Sequence, residues 1–236
     1  MAPRSASLPA FQQRQVISEP DHVYGELKQS FMIGEFEPGQ RLTLPELAAA
    51  FGTSQMPVRE ATSRLVVARA IEAMPRRSMR VPQATVERLD ALLPLRLHLE
   101  GEAARLAALR PDPQLARRLA RIDEEMRAMV PRQDTKIYLR LNQQFHFEVY
   151  RQCGNDDLVD LIELLWMRYG PLMSIVRSGV LSETGQVRHA EVIEAIRQGD
   201  PEVARAAICG DIAEAAEAIR ARIATDKATP AHPKTE

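Results

Sequence analysis

The chain has 236 residues, 45% of them hydrophobic, and a formal net charge of −1. That length allows more than one buried core, and that composition excludes a disordered protein. No apolar run reaches the roughly 18 residues that span a bilayer, and residues 1–20 lack the order of a secretory leader, so neither membrane span nor export is expected.

Residues 1–20, polar and carrying Pro3, Pro9 and Pro20, read as a loose tail. Within 21–82 the segment 42–65 has the pattern of two short helices joined by a tight turn. Leu44, Leu47 and Ala48 share one helical face, Gly52 supplies the turn, and Thr53 or Ser54 can cap a second helix. Pro57 falls in its first turn, where a missing N–H does little harm. Val58, Ala61 and Leu65 form its buried stripe, leaving Ser54, Gln55, Arg59 and Arg64 for another face. An apolar back with a cationic, hydrogen-bonding front suits a helix that enters a DNA major groove. Residues 71–81 then read as a β-hairpin with the basic tip Pro75-Arg76-Arg77-Ser78. From Ser54 to Pro82 six arginines face only Glu60 and Glu72, a local charge of plus four in a chain whose total is −1. Concentrated basicity is what phosphate contacts require, although arginines also decorate ordinary amphipathic helices.

The order Gly34, Pro38-Gly39, Leu42, then Pro45-Glu46-Leu47-Ala48, then Ser54-Gln55-Met56-Pro57-Val58-Arg59-Glu60-Ala61 resembles the winged helix-turn-helix of GntR-type bacterial transcription regulators. The resemblance spans about residues 22–82. It implies that Ser54, Gln55, Met56, Pro57, Arg59 and Arg64 of the second helix, with Arg76, Arg77 and Ser78 of the wing, meet double-stranded operator DNA. Members usually carry Ser-Arg-Thr-Pro where this chain has Ser-Gln-Met-Pro, and Ala70 and Ser78 stand where they carry glycine before the first wing strand and at the wing tip. Gln55 cannot grip guanine as arginine does, but it can pair with adenine N6 and N7, so a different operator is expected.

From residue 83 onward the periodicity is helical. A short helix is expected at 83–92, then a longer one at 94–110 with Pro94 in its first turn and Leu95, Leu99, Ala103 and Leu106 in register. Residues 114–130 place Leu115, Leu119, Ile122, Met126 and Met129 at three-and-four spacing. Further helices are expected at 135–152, stopped by Gly154-Asn155; at 156–178, kinked at Pro171; at 184–198; and at 201–225, opened by Asp200 and Pro201. Residues 226–236 read as a second loose tail. Cys153 and Cys209 lack C-x-x-C spacing and read as reduced thiols, which suits a cytoplasm. The fold expected is mainly α: a winged helix-turn-helix over 21–82 followed by an antiparallel all-α bundle over 83–225.

Asn142 and His146 lie four residues apart on one helical face, His189 begins a later helix, and Asp211 lies inside the last one. Brought together, two imidazoles, a carboxylate and an amide oxygen suit a divalent cation such as Zn²⁺, Ni²⁺ or Mn²⁺ with open positions. On spacing alone such a histidine is more often a hydrogen-bonded core or surface residue. Residues 93–222, through Leu95-Arg96, Leu99-Glu100, Ala103-Ala104, Phe145-His146, Gly154-Asn155 and Gly199-Asp200, resemble the FCD helical effector domain of the FadR-like branch of that family. The resemblance implies a metal at 142, 146, 189 and 211, where Asp211 replaces the more usual histidine, and a small carboxylate effector bound there. Arg96 is the candidate cation for that carboxylate, with an ordinary pair to Glu100 as its competing reading; Tyr138 and Arg168 are further candidates. His98, two residues from Arg96, reads as a bystander.

The reading that joins these signals is a ligand-responsive repressor acting as a homodimer on operator DNA, not an enzyme. A metal-dependent helical-bundle enzyme with an accessory N-terminal module is the alternative, weakened by the absence of an acid–base partner of the H-E-x-x-H kind. A bundle whose polar interior is satisfied by water is a third.

Overall fold

The computed structural model describes residues 18–75, 78–110, 112–175 and 183–228, with the side chains of 183–186 and 226–228 left out of the description. The expected tails lie almost wholly outside these residues, as do Arg76 and Arg77. The N-terminal unit holds α1 (Glu19–Met32), β1 (Arg41–Thr43), α2 (Leu44–Phe51), α3 (Gln55–Val67), β2 (Glu72–Met74) and β3 (Ser78–Arg80). Val23, Leu27 and Phe31 of α1, Leu44, Leu47 and Ala48 of α2, and Val58, Ala61 and Leu65 of α3 are buried together. Three apolar stripes at helical spacing thus close one small core, and the opposite face of α3 is left to solvent. Gly52 takes the left-handed conformation (φ 64°) that turns α2 into α3.

The hairpin is present, but it is part of a three-stranded antiparallel sheet of order β1-β3-β2, in which Leu42 faces Met79. Strand β1 has only three residues and runs straight into α2, so it has no alternation long enough to be read from sequence. Ser54 is the residue preceding α3, yet its side chain makes no capping hydrogen bond, and the Thr53 hydroxyl bonds Glu19 instead. The left-handed residue that ends α3 is Arg69 (φ 57°), not Ala70, so the position where glycine would sit most easily is 69.

The helical unit holds α4 (Val86–Ala108), α5 (Pro113–Met129), α6 (Thr135–Gln152), α7 (Asp156–Met173), α8 (Glu183–Gln198) and α9 (Pro201–Ala228). In place of the two helices expected over 83–110 there is one, capped by Thr85 and running through Pro94. Proline removes a single backbone hydrogen bond; packing of Leu89 and Leu92 against Leu165, Tyr169, Ile219 and Ile223 on one side of it, and of Ala103 and Ala107 on the other, outweighs that loss. Helix α7 ends at Met173 with Pro171 buried in its last turn; the remainder of the segment expected to be helical lies largely outside the described residues. Gly154 (φ 67°) stops α6 and Asp200 opens α9 as expected, while Asn155, expected only to help end α6, also accepts the Leu158 N–H at the start of α7. Cys153 and Cys209 are free.

The two units touch through α1 and α7. Gly170 lies so close to the Phe31 carbonyl that any Cβ there would collide with it. Around this contact Lys28 pairs with Glu163 at 2.6 Å, Gln29 donates to Gln143 at 3.1 Å, and Lys136 pairs with Glu35 at 2.6 Å.

Candidate DNA-reading face and metal centre

Ser54, Gln55, Met56 and Arg59 are exposed on the front of α3, and Met56 is 73% exposed, unusual for so apolar a side chain. The first-turn N–H groups of α3 lack a side-chain partner from the cap residue Ser54. Pro57, expected among these, is buried. Arg64 lies nine residues along α3, roughly 13 Å from Gln55. It is held against α1, paired with Asp21 at 2.8 Å and stacked on Tyr24 with 3.7 Å to the ring centre. The Asp21 carboxyl is held below its ordinary range by the hydroxyl of Ser18 and by Arg64. Ser78 does not stand at the hairpin tip: it opens β3, is nearly buried, and donates its hydroxyl to the Pro75 carbonyl at 3.2 Å. The sequence reading missed Arg41, which is exposed on β1 directly across from Arg80. Both arginines line an open depression of about 420 Å³ with Met74, Pro75, Ser78 and Met79. Recognising β1 as a strand is the signal that would have found it.

In the helical unit His146 of α6, His189 of α8 and Asp211 of α9 converge, with donor atoms all within 4.8 Å of one another. His146 Nε2 lies 3.2 Å from Asp211 Oδ2, and His189 Nε2 lies 3.8 Å from Asp211 Oδ1. Both imidazoles are buried, and neither nitrogen of His189 has a hydrogen-bond partner among the described residues. Burial pushes the Asp211 carboxyl up, but the His146 hydrogen bond and the charges of His189, His146 and Arg96 more than offset it, and the net direction is down. Two aimed imidazoles, one ionised carboxylate and orphaned ring nitrogens fit a divalent cation, which would supply a Lewis-acidic centre with positions open to a small anion. Asn142, one turn before His146, is half-buried on the same helix.

A second layer stands behind the triad. The His146 Nδ1 lies 2.9 Å from the Tyr150 hydroxyl, which donates to Glu100 at 2.6 Å; Trp166 Nε1 donates to the same Glu100 oxygen at 2.9 Å. Glu100 in turn holds Arg96 bidentately at 2.5 and 3.0 Å, and Arg96 stacks on Tyr169 at 4.0 Å. Arg96 is therefore committed to its neighbour one turn on, as the competing reading held, and the fully buried Glu100 occupies the fork that a ligand carboxylate would take. Tyr138 is buried, and its hydroxyl proton is held tightly by burial and then by the charges of Asp211 and Asp123. Arg168 is a correction: its Nε donates to the Ala68 carbonyl at 2.7 Å, at the end of α3. That bond ties α7 to the N-terminal unit, so Arg168 joins the two units and not the triad. Asp123 of α5, whose Oδ1 is 3.3 Å from His189 Nδ1, was missed, because an acid on an arginine-rich helix face reads as a surface pair.

Residues 20–81 match the family profile described as "Bacterial regulatory proteins, gntR family", and residues 91–225 match "FCD domain". The chain belongs to the GntR family and carries an FCD effector domain. Among its relatives, the HTH-type transcriptional regulator McbR of Escherichia coli (strain K12) is 33% identical over 149 residues, which are 63% of this chain and 67% of that one. A solved structure of E. coli McbR/YncC superposes with a TM-score of 0.80 at 26% identity, covering 90% of this chain and 100% of that one. A protein of Paenarthrobacter nicotinovorans named "Probable D-xylose utilization operon transcriptional repressor" is 29% identical over 168 residues, 71% of this chain and 74% of its own. The chain is thus a ligand-responsive, DNA-binding transcription regulator, and the enzyme alternative falls away. Among the described residues no helix is long and apolar enough to cross a membrane.

Proposed function

We propose that this regulator is a cytoplasmic homodimeric repressor whose helical domain holds a divalent cation on His146, His189 and Asp211, with Asn142 completing the set, and is released from its operator by a small organic acid. The observation that carries the sensing half is the convergence of two buried imidazoles and one carboxylate on a single point from three helices. An anionic effector seats on the open cation positions. With Arg96 neutralised by Glu100, a cation held by the triad would supply the attraction, and Tyr138 borders the site. The reading half rests on Ser54, Gln55, Met56 and Arg59 at the front of α3, with Arg41, Arg76 and Arg77 meeting backbone phosphates from the wing side. In a dimer two such helices reach successive major-groove turns of a pseudo-palindromic site, about 34 Å apart.

Helices α6 and α7 offer the route between the halves. Gln143 sits three residues before His146 and binds Gln29 of α1, while α7 carries Trp166 against Glu100 and Gly170 against Phe31. A small shift of α6 or α7 on effector binding therefore moves the DNA-reading unit bodily. The acid acts only to the extent that it binds the DNA-incompetent arrangement more tightly. Selection of bound fragments from randomised duplex DNA, followed by rescreening against a panel of organic acids, tests the proposal. A palindromic site weakened by at least one acid is the expected result. Failure to enrich any sequence sinks the reading half, and an enriched site indifferent to every acid sinks the effector class.

A further inference from the structure

We infer that Asp123 is a positioning residue for the cation centre, holding His189 in the tautomer whose proton is on Nδ1 so that Nε2 is free to face Asp211 and His146. The inference rests on the metal reading above. His189 is fully buried and Asp123 nearly so; Asp123 Oδ1 and His189 Nδ1 lie 3.3 Å apart, and neither has a hydrogen-bond partner among the described residues. The other carboxylate oxygen, Oδ2, is anchored by Arg127 at 2.8 and 2.9 Å, which fixes the direction in which Oδ1 points. A buried carboxylate oxygen without a donor is costly, and of the two neutral tautomers only the Nδ1–H form puts a proton on the ring edge that faces it. Phe145 stacks on the His189 ring with centroids 4.1 Å apart, restraining its plane but not choosing between its two edges. Asp123 makes that choice.

The other histidine is set by a parallel device. With the Tyr150 proton directed to Glu100, the tyrosine oxygen accepts from His146 Nδ1–H, and His146 Nε2 is turned toward Asp211. Each imidazole is therefore backed by a carboxylate, directly from α5 in one case and through a tyrosine in the other. Such backing raises ligand basicity and fixes ring orientation. Asp123 stands on the Nδ1 side of the ring, away from Asp211, and so acts through His189 without joining the ligand set.

The experiment uses the full chain and Zn²⁺ as probe. Zn²⁺ affinity is measured by competition with a chromophoric chelator, and the His189 tautomer is read from imidazole ¹⁵N shifts in metal-free protein. Asp123→Leu is expected to weaken Zn²⁺ binding by about 10–100-fold and to abolish the Nδ1–H tautomer. Asp123→Asn, whose amide oxygen still accepts from Nδ1–H, is expected to keep the tautomer and recover part of the affinity. Zn²⁺ binding by the original chain with unchanged affinity in Asp123→Leu overturns the inference alone; no Zn²⁺ binding by the original chain overturns the metal reading with it. A metal-free original chain with His189 protonated on Nε2 overturns the inference whether or not any variant folds.

Discussion

The two charged regions of this molecule treat arginine in opposite ways. On the DNA-reading unit Arg41 and Arg59 are exposed on the surface of short elements, and even the Arg64–Asp21 pair is half open to water. In the helical unit Arg96 is buried, forked onto Glu100 and sandwiched near Trp166 and Tyr169. The first arrangement keeps cations hydrated and free to exchange water for phosphate, which is what salt-dependent, reversible binding needs. The second is a fixed scaffold in which every charge is already satisfied by the chain. Its purpose is to hold His146, through Tyr150, where a cation can use it. A charge that must be exchanged is left in solvent, and a charge that must not move is buried with its partner.

Five substitutions sharpen that contrast. The largest effect is expected from Glu100→Ala, which strands the Arg96 guanidinium in the core. Urea titration is expected to show a loss of about 3–5 kcal/mol, whereas Arg64→Ala at the exposed pair costs about 1 kcal/mol or less. Equal losses at the two sites would erase the distinction between scaffold and exchangeable charge. Next comes His189→Ala, expected to weaken Zn²⁺ binding by at least about 100-fold while leaving affinity for the operator without effector within a few-fold. Gln55→Arg is expected to change the preferred base from adenine toward guanine at one position per half-site, a discrimination of about 1–3 kcal/mol in a competition assay. An unaltered base preference would remove Gln55 from the groove. The smallest effect is expected from Arg69→Gly. Relief of the left-handed strain outweighs the added freedom of the unfolded chain, for a gain of about 1 kcal/mol or less in thermal unfolding.

Strong periodicity made most of the fold legible. The stripes of α2 and α3, the spacing along α5, and the glycine and asparagine signals around 154 are local patterns with local causes, and they survive folding unchanged. The misread places are those where tertiary packing overrides a local rule. Pro94 breaks a helix in isolation, but α9 and α7 hold α4 together across it. Strand β1 exists only because β3 pairs with it. The same division runs through the candidate site. His146, His189 and Asp211 could be named because two histidines at helical positions stand out and because all three match the ligand positions of the family. Asp123 could not, since an acid beside an arginine looks like any surface pair until burial is known, and Glu100 is legible only as the partner of Arg96. Arg168 misled for the mirror reason: its helix faces the bundle, but its own turn faces the DNA-reading unit.

The measurement that bears most directly on the account is operator affinity of the full chain, loaded with Zn²⁺ or stripped by a chelator, with and without an acid found by the screen. The account predicts that the acid weakens operator binding by about 5–150-fold in the loaded protein and has no effect on the stripped one. An identical response in both, or none in the loaded protein, would contradict it.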